Sequence, residues 1–458
     1  MNRFIKYTLL FSVSIAWSQE IYTEYLVVGI DSLDVFSYQI PGNYNDSTSH
    51  PLLVAFHQWG GDENGPYSTQ FDEEANNRNW LYLSPFGGSS NNYNHQGMQT
   101  MVEGEILWIM ENYNIDKNRI YIVGGSMGGA TGAIYANNHL DPTKPMVAAT
   151  ASASGILDCE RRAIEMDGNN SMIEWFGGEW YEVPFEYHRN SAVYFADSTQ
   201  SMHYNLLHTP LYLDFGASEP HRTHAEDLYN LLLHYNENMW IDTDPTGSHG
   251  YSIIDEEHAC DWLSQFELID DPNIINVNLD EPSRAYWAEA MNQNDEFDFI
   301  KVNSEKCYEN TICINDFFNS DTLLLHIIND SIPSNFQIQN HELLGFTFGI
   351  TGDSTLMSLI SNIEMDSFNG AYWDNINLQD NIIYVDINGG QYFMSFILNE
   401  FDDINQDGVW DVTDIVLTIQ NILGQIVFNS TQTDNADLND DGNVDILDII
   451  FMVNLILS

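Results

Sequence analysis

The sequence predicts an α/β fold with a mostly parallel, doubly wound sheet, followed by a β-rich domain and a small all-α module. Three observations carry this prediction. Strand-like and helix-like runs alternate between residues 21 and 268, a pattern typical of a parallel sheet covered by helices on both faces. After Asp271-Pro272 the runs become short and β-rich. The final 58 residues contain an internal repeat with apolar positions at helical spacing.

Short apolar runs bounded by polar and turn residues mark the individual elements. Strands are predicted at 52–56, 81–84, 120–123, 211–215 and 239–241. Helices are predicted at 103–112, 130–138 and 225–235. Beyond residue 272 the clearest β-rich runs, which favour a β-sandwich-like domain, are 322–328, 382–387 and 392–398.

The charge balance of the chain is extreme. Its 68 acidic and 13 basic residues give a net charge of −55, and 43 % of the 458 residues are hydrophobic. The hydrophobic share is sufficient for large cores and excludes general disorder. The negative field repels nucleic acid and anionic membranes, so we expect neither as a partner. An acidic surface suited to salty water, where ions screen self-repulsion, also accounts for much of the charge.

The first 18 residues have the pattern of a signal peptide. Arg3 and Lys6 form a short basic start, 7–15 is an apolar run, and Ala16-Trp17-Ser18 has the small-x-small form of a cleavage site. The run is too short to span a bilayer, and no other stretch is long and apolar enough for a transmembrane span. We therefore expect a secreted or cell-surface protein.

Four cysteines follow this segment. Export favours disulfides, and four cysteines allow three connectivities. Cys307 and Cys313 are close in sequence and are predicted to pair, which leaves Cys159 to pair with Cys260. Four free thiols are the alternative, and no cysteine has the spacing of a zinc site.

A G-x-S-x-G motif, Gly124-Gly125-Ser126-Met127-Gly128, lies between a predicted strand and a helix of small residues. The motif alone is weak, because glycine and serine are common. In this context the flanking glycines permit a sharp strand-to-helix turn that presents the serine oxygen at the carboxyl end of the sheet. The helix N-terminus behind it favours developing negative charge. Ser126 is therefore a candidate nucleophile, with an ordinary glycine-rich turn as the alternative.

With this motif, residues 21–268 resemble the α/β-hydrolase superfamily, and the resemblance implies a serine esterase. The sequence FHQWGG at 56–61 is similar to the family's H-G-x-x-G oxyanion loop, although Gln58 stands where the family usually has glycine. The resemblance implies that the backbone N–H groups of Trp59 and Met127 hold the oxyanion. A buried strand-end turn is the alternative for this segment.

The family's chain order of serine, acid and histidine identifies the other two candidates. The segment TPLYLDFGASEP at 209–220 is similar to the family's acid segment. Glu219 falls at the acid position, where the family normally has aspartate, and Asp214 is the alternative. His249 follows 30 residues later, within Ser-His-Gly, after a predicted strand and a turn from which the ring can reach the serine.

Other histidines compete for the role of general base. His258 is the rival, but it opens the final predicted helix of this region. His221 and His224 follow the acid too closely to cross to the nucleophile.

The segment from Met166 to Tyr187 interrupts the α/β alternation just before the acid segment. It contains six aromatic residues: Trp175, Phe176, Trp180, Tyr181, Phe185 and Tyr187. In this fold such inserts often lie over the active site, where aromatic faces can stack on a sugar or on an aromatic acyl group. Packing of the insert against the body of the domain is an equal alternative.

The C-terminal repeat follows the pattern D-x-N-x-D-G-x-x-D-x-x-D. Its copies, DINQDGVWDVTD at 403–414 and DLNDDGNVDILD at 437–448, lie 34 residues apart. Oxygen ligands at positions 1, 3, 5 and 12 with a backbone carbonyl at 7 suit calcium, and glycine at 6 allows the sharp turn. The predicted ligands are Asp403, Asn405, Asp407, Val409, Asp411 and Asp414 in the first loop, and Asp437, Asn439, Asp441, Asn443, Asp445 and Asp448 in the second.

Each loop is followed by a predicted helix with one apolar stripe. The stripes are Val412, Ile415, Val416, Ile419, Ile422 and Leu423 in the first copy, and Ile446, Ile449, Ile450, Val453, Ile456 and Leu457 in the second. Residues 402–457 resemble a dockerin domain, which implies two structural calcium ions and none for catalysis. By the same resemblance, Val412-Thr413 and Ile446-Leu447 would face a cohesin-bearing scaffold, with a cell-surface anchor as the alternative partner.

The predicted organisation therefore has four parts. They are a signal peptide at 1–18, an α/β-hydrolase catalytic domain at 19–270, a β-rich accessory domain at 271–400 and a calcium-binding dockerin module at 401–458. The favoured function is a secreted serine carboxylic ester hydrolase acting on polysaccharide-linked or related esters. This choice of substrate rests on association alone, since dockerins often accompany polysaccharide-degrading enzymes. The alternatives are a serine peptidase similar to the prolyl oligopeptidase family and a non-catalytic binding protein.

Overall fold

A computed structural model gives the fold of most of the chain. The predicted signal peptide lies outside the described residues. Among the helices that are described, none has both the length and the apolar character needed to cross a membrane. The structure describes residues 19–28, 31–245, 247, 249–328, 333, 335–341, 345–358, 360–368, 371–379, 382–398, 404–405, 412–438 and 441–457.

The first domain is built on one sheet. Its eight strands are β1 (Tyr22–Val28), β2 (Asp31–Gln39), β3 (His50–Phe56), β4 (Leu81–Pro85), β5 (Ile115–Gly125), β6 (Ala149–Ala153), β7 (Leu211–Gly216) and β8 (Met239–Asp244). They lie in the order β1-β2-β4-β3-β5-β6-β7-β8. β2 pairs antiparallel with β1 and β4, and the other neighbours pair in parallel. The prediction of a mostly parallel sheet is confirmed.

Helices cover this sheet. They are α1 (Phe71–Asn77), α2 (Gln96–Asn112), α3 (Met127–Asn138), α4 (Cys159–Glu165), α5 (Ile173–Phe176), α6 (Pro184–Arg189), α7 (Arg222–Leu232) and α8 (Glu256–Leu263). α2 begins before the predicted residue 103 because the His95 ring accepts a hydrogen bond from the backbone N–H of Met98 and caps the helix. β6 and β7, which have parallel neighbours on both sides, are buried along their whole length, as expected of central parallel strands. β4, between β2 and β3, is fully buried as well.

The second domain is a β-sandwich, which confirms the β-rich prediction. Its elements are β9 (Ile274–Leu279), β10 (Arg284–Ala285), β11 (Ala288–Ala290), β12 (Ile300–Tyr308), β13 (Thr311–Phe318), β14 (Thr322–Ile328), β15 (Phe336–Asn340), β16 (Phe346–Gly352), α9 (Ser354–Ser358), β17 (Ile360–Phe368), β18 (Trp373–Gln379), β19 (Ile382–Ile387) and β20 (Gly390–Leu398). Two six-stranded sheets have the orders β10-β11-β14-β16-β19-β18 and β17-β20-β15-β13-β12-β9.

The cysteine predictions divide into one that is confirmed and one that is wrong. Cys307 and Cys313 form a disulfide across the β12–β13 hairpin. Cys159 and Cys260 are both buried and unbridged. They lie in different packing clusters, because Cys159 directs its Sγ to the carbonyl of Asn190 at 3.1 Å while Cys260 packs from α8 into the main core. Burial raises the pKa of the Cys159 thiol to about 12, so that it stays protonated.

The two domains share a buried polar contact. The side chain of Asn205 donates to the carbonyl of Asn278 and accepts from its N–H, both at 2.9 Å. The Asn278 amide donates to the carbonyl of Ser201 at 2.7 Å. Leu140 and Met146 of the first domain also lie within the hydrophobic core of the sandwich. The sandwich is therefore packed onto the first domain through matched polar groups and apolar side chains.

The C-terminal domain contains α10 (Val412–Ile422), α11 (Ser430–Ala436) and α12 (Ile446–Leu457). Its core is formed by Ile404, Ile415, Phe428, Ala436, Ile449 and Met452. Both predicted helices are present, and several residues of their apolar stripes are exposed: Val412, Val416, Ile419, Ile422, Leu423, Ile446, Ile450 and Val453. In a domain this small, only part of each stripe packs into the core, and the rest of the stripe lies on the surface.

Candidate active site

Ser126 lies in the sharp turn between β5 and α3. Its backbone has φ 56° and ψ −117°, a conformation that a residue with a side chain adopts only under strain. Hydrogen bonds hold it there, because the N–H of Ser126 donates to the carbonyl of Ala153 at 2.8 Å and its carbonyl accepts from Gly129 at 3.0 Å. The turn presents the serine side chain at the carboxyl ends of the parallel strands.

The motif glycines are required by backbone packing around this turn. A Cβ on Gly128 would lie 2.5 Å from the carbonyl oxygen of His57 and 2.6 Å from that of Phe56. A Cβ on Gly124 would collide with the carbonyl of Gly128. Only glycine therefore lets α3 approach the loop that follows β3 this closely.

His249 lies between Ser126 and Glu219. Its Nε2 is 2.7 Å from the Oγ of Ser126, and its Nδ1 is 2.7 Å from Oε2 of Glu219. The Glu219 side chain is fully buried, whereas that of His249 is 36 % exposed. Because an ionised carboxylate only accepts hydrogen bonds, it places the proton on Nδ1 and leaves Nε2 able to accept the serine proton.

The alternative acid and base lie elsewhere. Asp214 is buried in β7, and burial, with the nearby charge of Asp242, raises its pKa to about 7. His258 lies in α8, where its Nδ1 faces the hydroxyl of Tyr212 at 3.2 Å. The structure thus brings together the favoured residues of the sequence prediction and leaves Asp214 and His258 out of the group around Ser126.

The predicted oxyanion donors flank the nucleophile on two backbone segments. Met127 begins α3, and Trp59 follows β3 in a turn that is closed by Gly61 N–H donating to the carbonyl of Gln58 at 2.9 Å. In the part of the chain that the structure describes, neither Met127 nor Trp59 donates its backbone N–H to a protein group. Gln58, in place of the family's glycine, lies with its side-chain amide against Gly250.

Two residues that the sequence reasoning missed fix the histidine loop. The hydroxyl of Ser154 accepts a hydrogen bond from the N–H of Gly250 at 2.9 Å, and Ser154 itself has a φ of 56°. The hydroxyl of Tyr251 donates to the carbonyl of Phe56 at 2.6 Å. Neither residue belongs to a sequence motif. The one unusual feature of Ser154 is its positive φ, which is visible in the structure but not in the sequence.

The aromatic insert lies partly in the core and partly at the surface. Phe176 and Tyr187 pack in a buried cluster with Met127, so the insert adjoins the nucleophile turn. Trp175 stacks on His95 with ring centroids 4.6 Å apart. Tyr181 is 66 % exposed. Part of the insert therefore packs against the domain, and part presents aromatic surface to solvent.

The described calcium-loop residues form closed turns. Asp448 is fully buried and accepts from the N–H groups of Leu438 at 2.8 Å and Asp445 at 2.7 Å. Asp437 accepts from the N–H of Gly442, whose φ is 85°. Asp414 is likewise buried. The side-chain ligands predicted for both loops carry oxygen donors, which fits calcium. The predicted ligands Asp403, Asp407, Val409, Asp411 and Asn439 lie outside the described residues.

The first domain has the strand order of an α/β-hydrolase fold, with Ser126 in the sharp turn between β5 and α3. Residues 402–457 match the dockerin type I domain and constitute that domain. Dockerin type I domains bind calcium, and they bind cohesins in scaffold proteins. No curated protein matches the chain.

Solved structures with a similar fold cover about half of the chain. Fluorophosphonate-binding serine hydrolase F of Staphylococcus aureus is 15 % identical over 54 % of this chain and 98 % of its own, with a TM-score of 0.43. A ferulic acid esterase is 18 % identical over 54 % of this chain and 96 % of its own, with a TM-score of 0.40. An acylaminoacyl peptidase of Pyrococcus horikoshii is 16 % identical over 55 % of this chain and 41 % of its own, with a TM-score of 0.43. Identities this low say nothing about activity.

Proposed function

We propose that the protein is a secreted carboxylic ester hydrolase that works through a Ser126–His249–Glu219 triad. The observation that carries the proposal is the position of the His249 ring, 2.7 Å from the serine oxygen on one side and 2.7 Å from a buried carboxylate on the other. This geometry is what a general base needs in order to activate a serine.

The reaction proceeds in two halves. Ser126 Oγ attacks the ester carbonyl carbon while its proton passes to His249 Nε2, and the oxyanion is held by the N–H groups of Trp59 and Met127. The intermediate collapses to an acyl-enzyme as His249 returns the proton to the departing alcohol. Water then attacks the acyl carbonyl carbon and gives a proton to His249. The bond between this carbon and Ser126 Oγ breaks, His249 returns the proton to the serine oxygen, and the carboxylic acid leaves. Glu219 stabilises the imidazolium in both halves and stays ionised.

The proposed substrates are esters carried on polysaccharides. The dockerin domain supports this class, since dockerins bind cohesins in scaffold proteins. The exposed aromatic surface of the insert supports it as well, because sugar rings and aromatic acyl groups stack on such faces. The net charge of −55 favours neutral over anionic substrates.

The dockerin domain is proposed to hold two calcium ions and to attach the enzyme to a cohesin-bearing scaffold or to a cell surface. Each predicted loop supplies oxygen donors, and Asp414 and Asp448 occupy the last position of the two loops. The exposed apolar residues of α10 and α12 provide a surface for such a partner. No role in catalysis is proposed for the metal, because the triad contains only protein groups.

A fluorophosphonate probe tests the nucleophile. We expect one label per chain, lost in Ser126→Ala and retained in Ser252→Ala, a control at an exposed serine near the histidine. Label that persists in Ser126→Ala contradicts the assignment. A panel of acetyl, feruloyl and aliphatic esters beside matched short-peptide amides then identifies the substrate class, and faster cleavage of the amides favours the peptidase alternative.

A further inference from the structure

A cluster of charged side chains lies beside the candidate triad and has no part in the chemistry above. Glu165, the last residue of α4, faces two histidines at the start of α7. Its Oε2 is 2.7 Å from Nδ1 of His221, and its Oε1 is 3.6 Å from Nε2 of His224. Arg162, one turn earlier on α4, lies 3.3 Å from the same carboxylate. The cluster therefore joins α4 to α7.

The three ligand atoms lie close enough together to hold a metal ion, but the surrounding donors assign the ring protons otherwise. Nδ1 of His224 accepts from the N–H groups of Leu157 and Asp158, both at 3.2 Å. Arg162 donates to Nε2 of His221 at 3.0 Å. Each ring thus uses its lone pair on the far side and carries its proton on the nitrogen that faces Glu165. A nitrogen that carries a proton cannot bind a metal.

The two ring N–H groups and Arg162 all face a single carboxylate. Neither ring makes a well-directed hydrogen bond to it, so the attraction is mainly that of a charge for nearby polarised groups. Burial opposes ionisation of Glu165, yet the interactions with His221 and His224 outweigh it and hold its pKa well below the usual range. Glu165 is therefore charged at neutral pH and attracts the rings of His221, which caps α7, and of His224, which lies in its first turn.

The cluster connects directly to the acid of the triad. His221 lies two residues after Glu219, and its ring centroid is 5.8 Å from that of His249. Oε1 of Glu219 has no hydrogen-bond partner among the described residues. Apart from the contact of its Oε2 with His249, the position of the carboxylate therefore depends on the path of its own loop, and that loop ends at His221, which faces Glu165.

We propose that Glu165 is a positioning residue, which fixes the Glu219 loop against His249 through His221. The proposal rests on the proposed triad. Without the charge on Glu165, the loop keeps its fold but gains freedom at Glu219, so that Glu219 and His249 hold their productive geometry for a smaller share of the time. A displacement of this kind near a reacting centre lowers turnover by up to about a hundredfold.

The test is Glu165→Gln beside Glu160→Gln. Glu160 is a matched control, because it lies on the same helix and faces a histidine, His188 at 3.1 Å, away from the acid loop. We expect Glu165→Gln to lower kcat on an acyl ester about tenfold with little change in KM. It should also broaden or shift the downfield proton resonance of the His249 Nδ1–H. Glu160→Gln should change neither.

A double-mutant cycle shows whether Glu165 acts through His221. In a His221→Ala background, Glu165→Gln should cost almost nothing further; additive losses overturn the proposal. An unchanged His249 resonance in Glu165→Gln also overturns it, as does stoichiometric zinc that the wild type retains and Glu165→Gln loses. If the proposed function fails instead, the wild type neither reacts with fluorophosphonate nor cleaves esters, while the resonance still reports on Glu165.

Discussion

Tyr251 donates its hydroxyl to the carbonyl of Phe56 at 2.6 Å, and this bond ties the loop of the catalytic histidine candidate to the end of β3. Phe56 immediately precedes the segment that carries Trp59. One hydrogen bond therefore connects the loop of His249 to the predicted oxyanion loop. The bond is buried at both ends, where an unpaired carbonyl is costly.

Tyr251→Phe should therefore affect both stability and turnover. It leaves the Phe56 carbonyl without this donor, and we expect a loss of about 1–3 kcal/mol in the free energy of unfolding, together with a lower kcat. Urea unfolding and ester kinetics measure the two effects. Tyr235→Phe, at an exposed tyrosine, is the control, and an equal response in both variants would argue against the bond.

Isosteric substitution distinguishes Glu219 from Asp214 as the acid of the triad. Glu219→Gln removes the charge that stabilises the imidazolium, and we expect kcat to fall by about a thousand- to ten-thousandfold with the fold intact. Asp214→Asn should retain nearly the wild-type kcat, because His249 contacts Glu219 alone of the two. Steady-state kinetics on one ester measures both. A dead Asp214→Asn with an active Glu219→Gln would reverse the assignment.

Asp214 also predicts how stability varies with pH. Its folded pKa of about 7 lies above the unfolded value of 3.8, so between these values the folded state binds more protons than the unfolded state. The contribution of Asp214 to stability is thus fully present below pH 3.8 and is lost as the pH rises through 7. We expect Asp214→Asn to be more stable than the wild type at pH 8, with a gap that narrows toward pH 4. Chemical unfolding at the two pH values tests this, and a constant gap contradicts it.

Removal of calcium should unfold the dockerin domain and leave catalysis by the first domain intact. Without a cation the aspartates of each loop repel one another, so binding of the metal becomes folding free energy for the dockerin domain. Excess chelator should increase amide hydrogen exchange within 402–457 and abolish partner binding, while ester hydrolysis persists. Loss of activity with α10 and α12 still protected would assign the calcium to the catalytic domain instead.

The sequence was most informative where local chemistry dictates local structure. Gly124 and Gly128 flank a turn whose packing leaves no room for a Cβ, so the motif itself predicts the geometry of Ser126. The 34-residue repeat similarly predicts α10 and α12 of the dockerin domain. Here the residues that form a feature are neighbours in the chain.

Features that depend on distant segments were harder to predict. Cys159 and Cys260 could be paired only by elimination, and the fold places them in different clusters. Ser154 contacts Gly250, 96 residues away, and no sequence pattern predicts that contact. Leu423 and Val416 are exposed because the core of the small domain covers only part of each apolar stripe. Helical periodicity shows that a stripe exists but not how much of it is covered.

The contact between Asn205 and Asn278 has a practical consequence for dividing the protein. A fragment that ends at residue 270 leaves the Asn205 side chain without either of its 2.9 Å contacts to Asn278. It also uncovers Leu140 and Met146, which lie in the core of the sandwich. Such a fragment is expected to aggregate when expressed alone, whereas one that ends after β20 keeps these groups covered. We therefore expect the smallest soluble fragment that contains the candidate triad to include the sandwich as well.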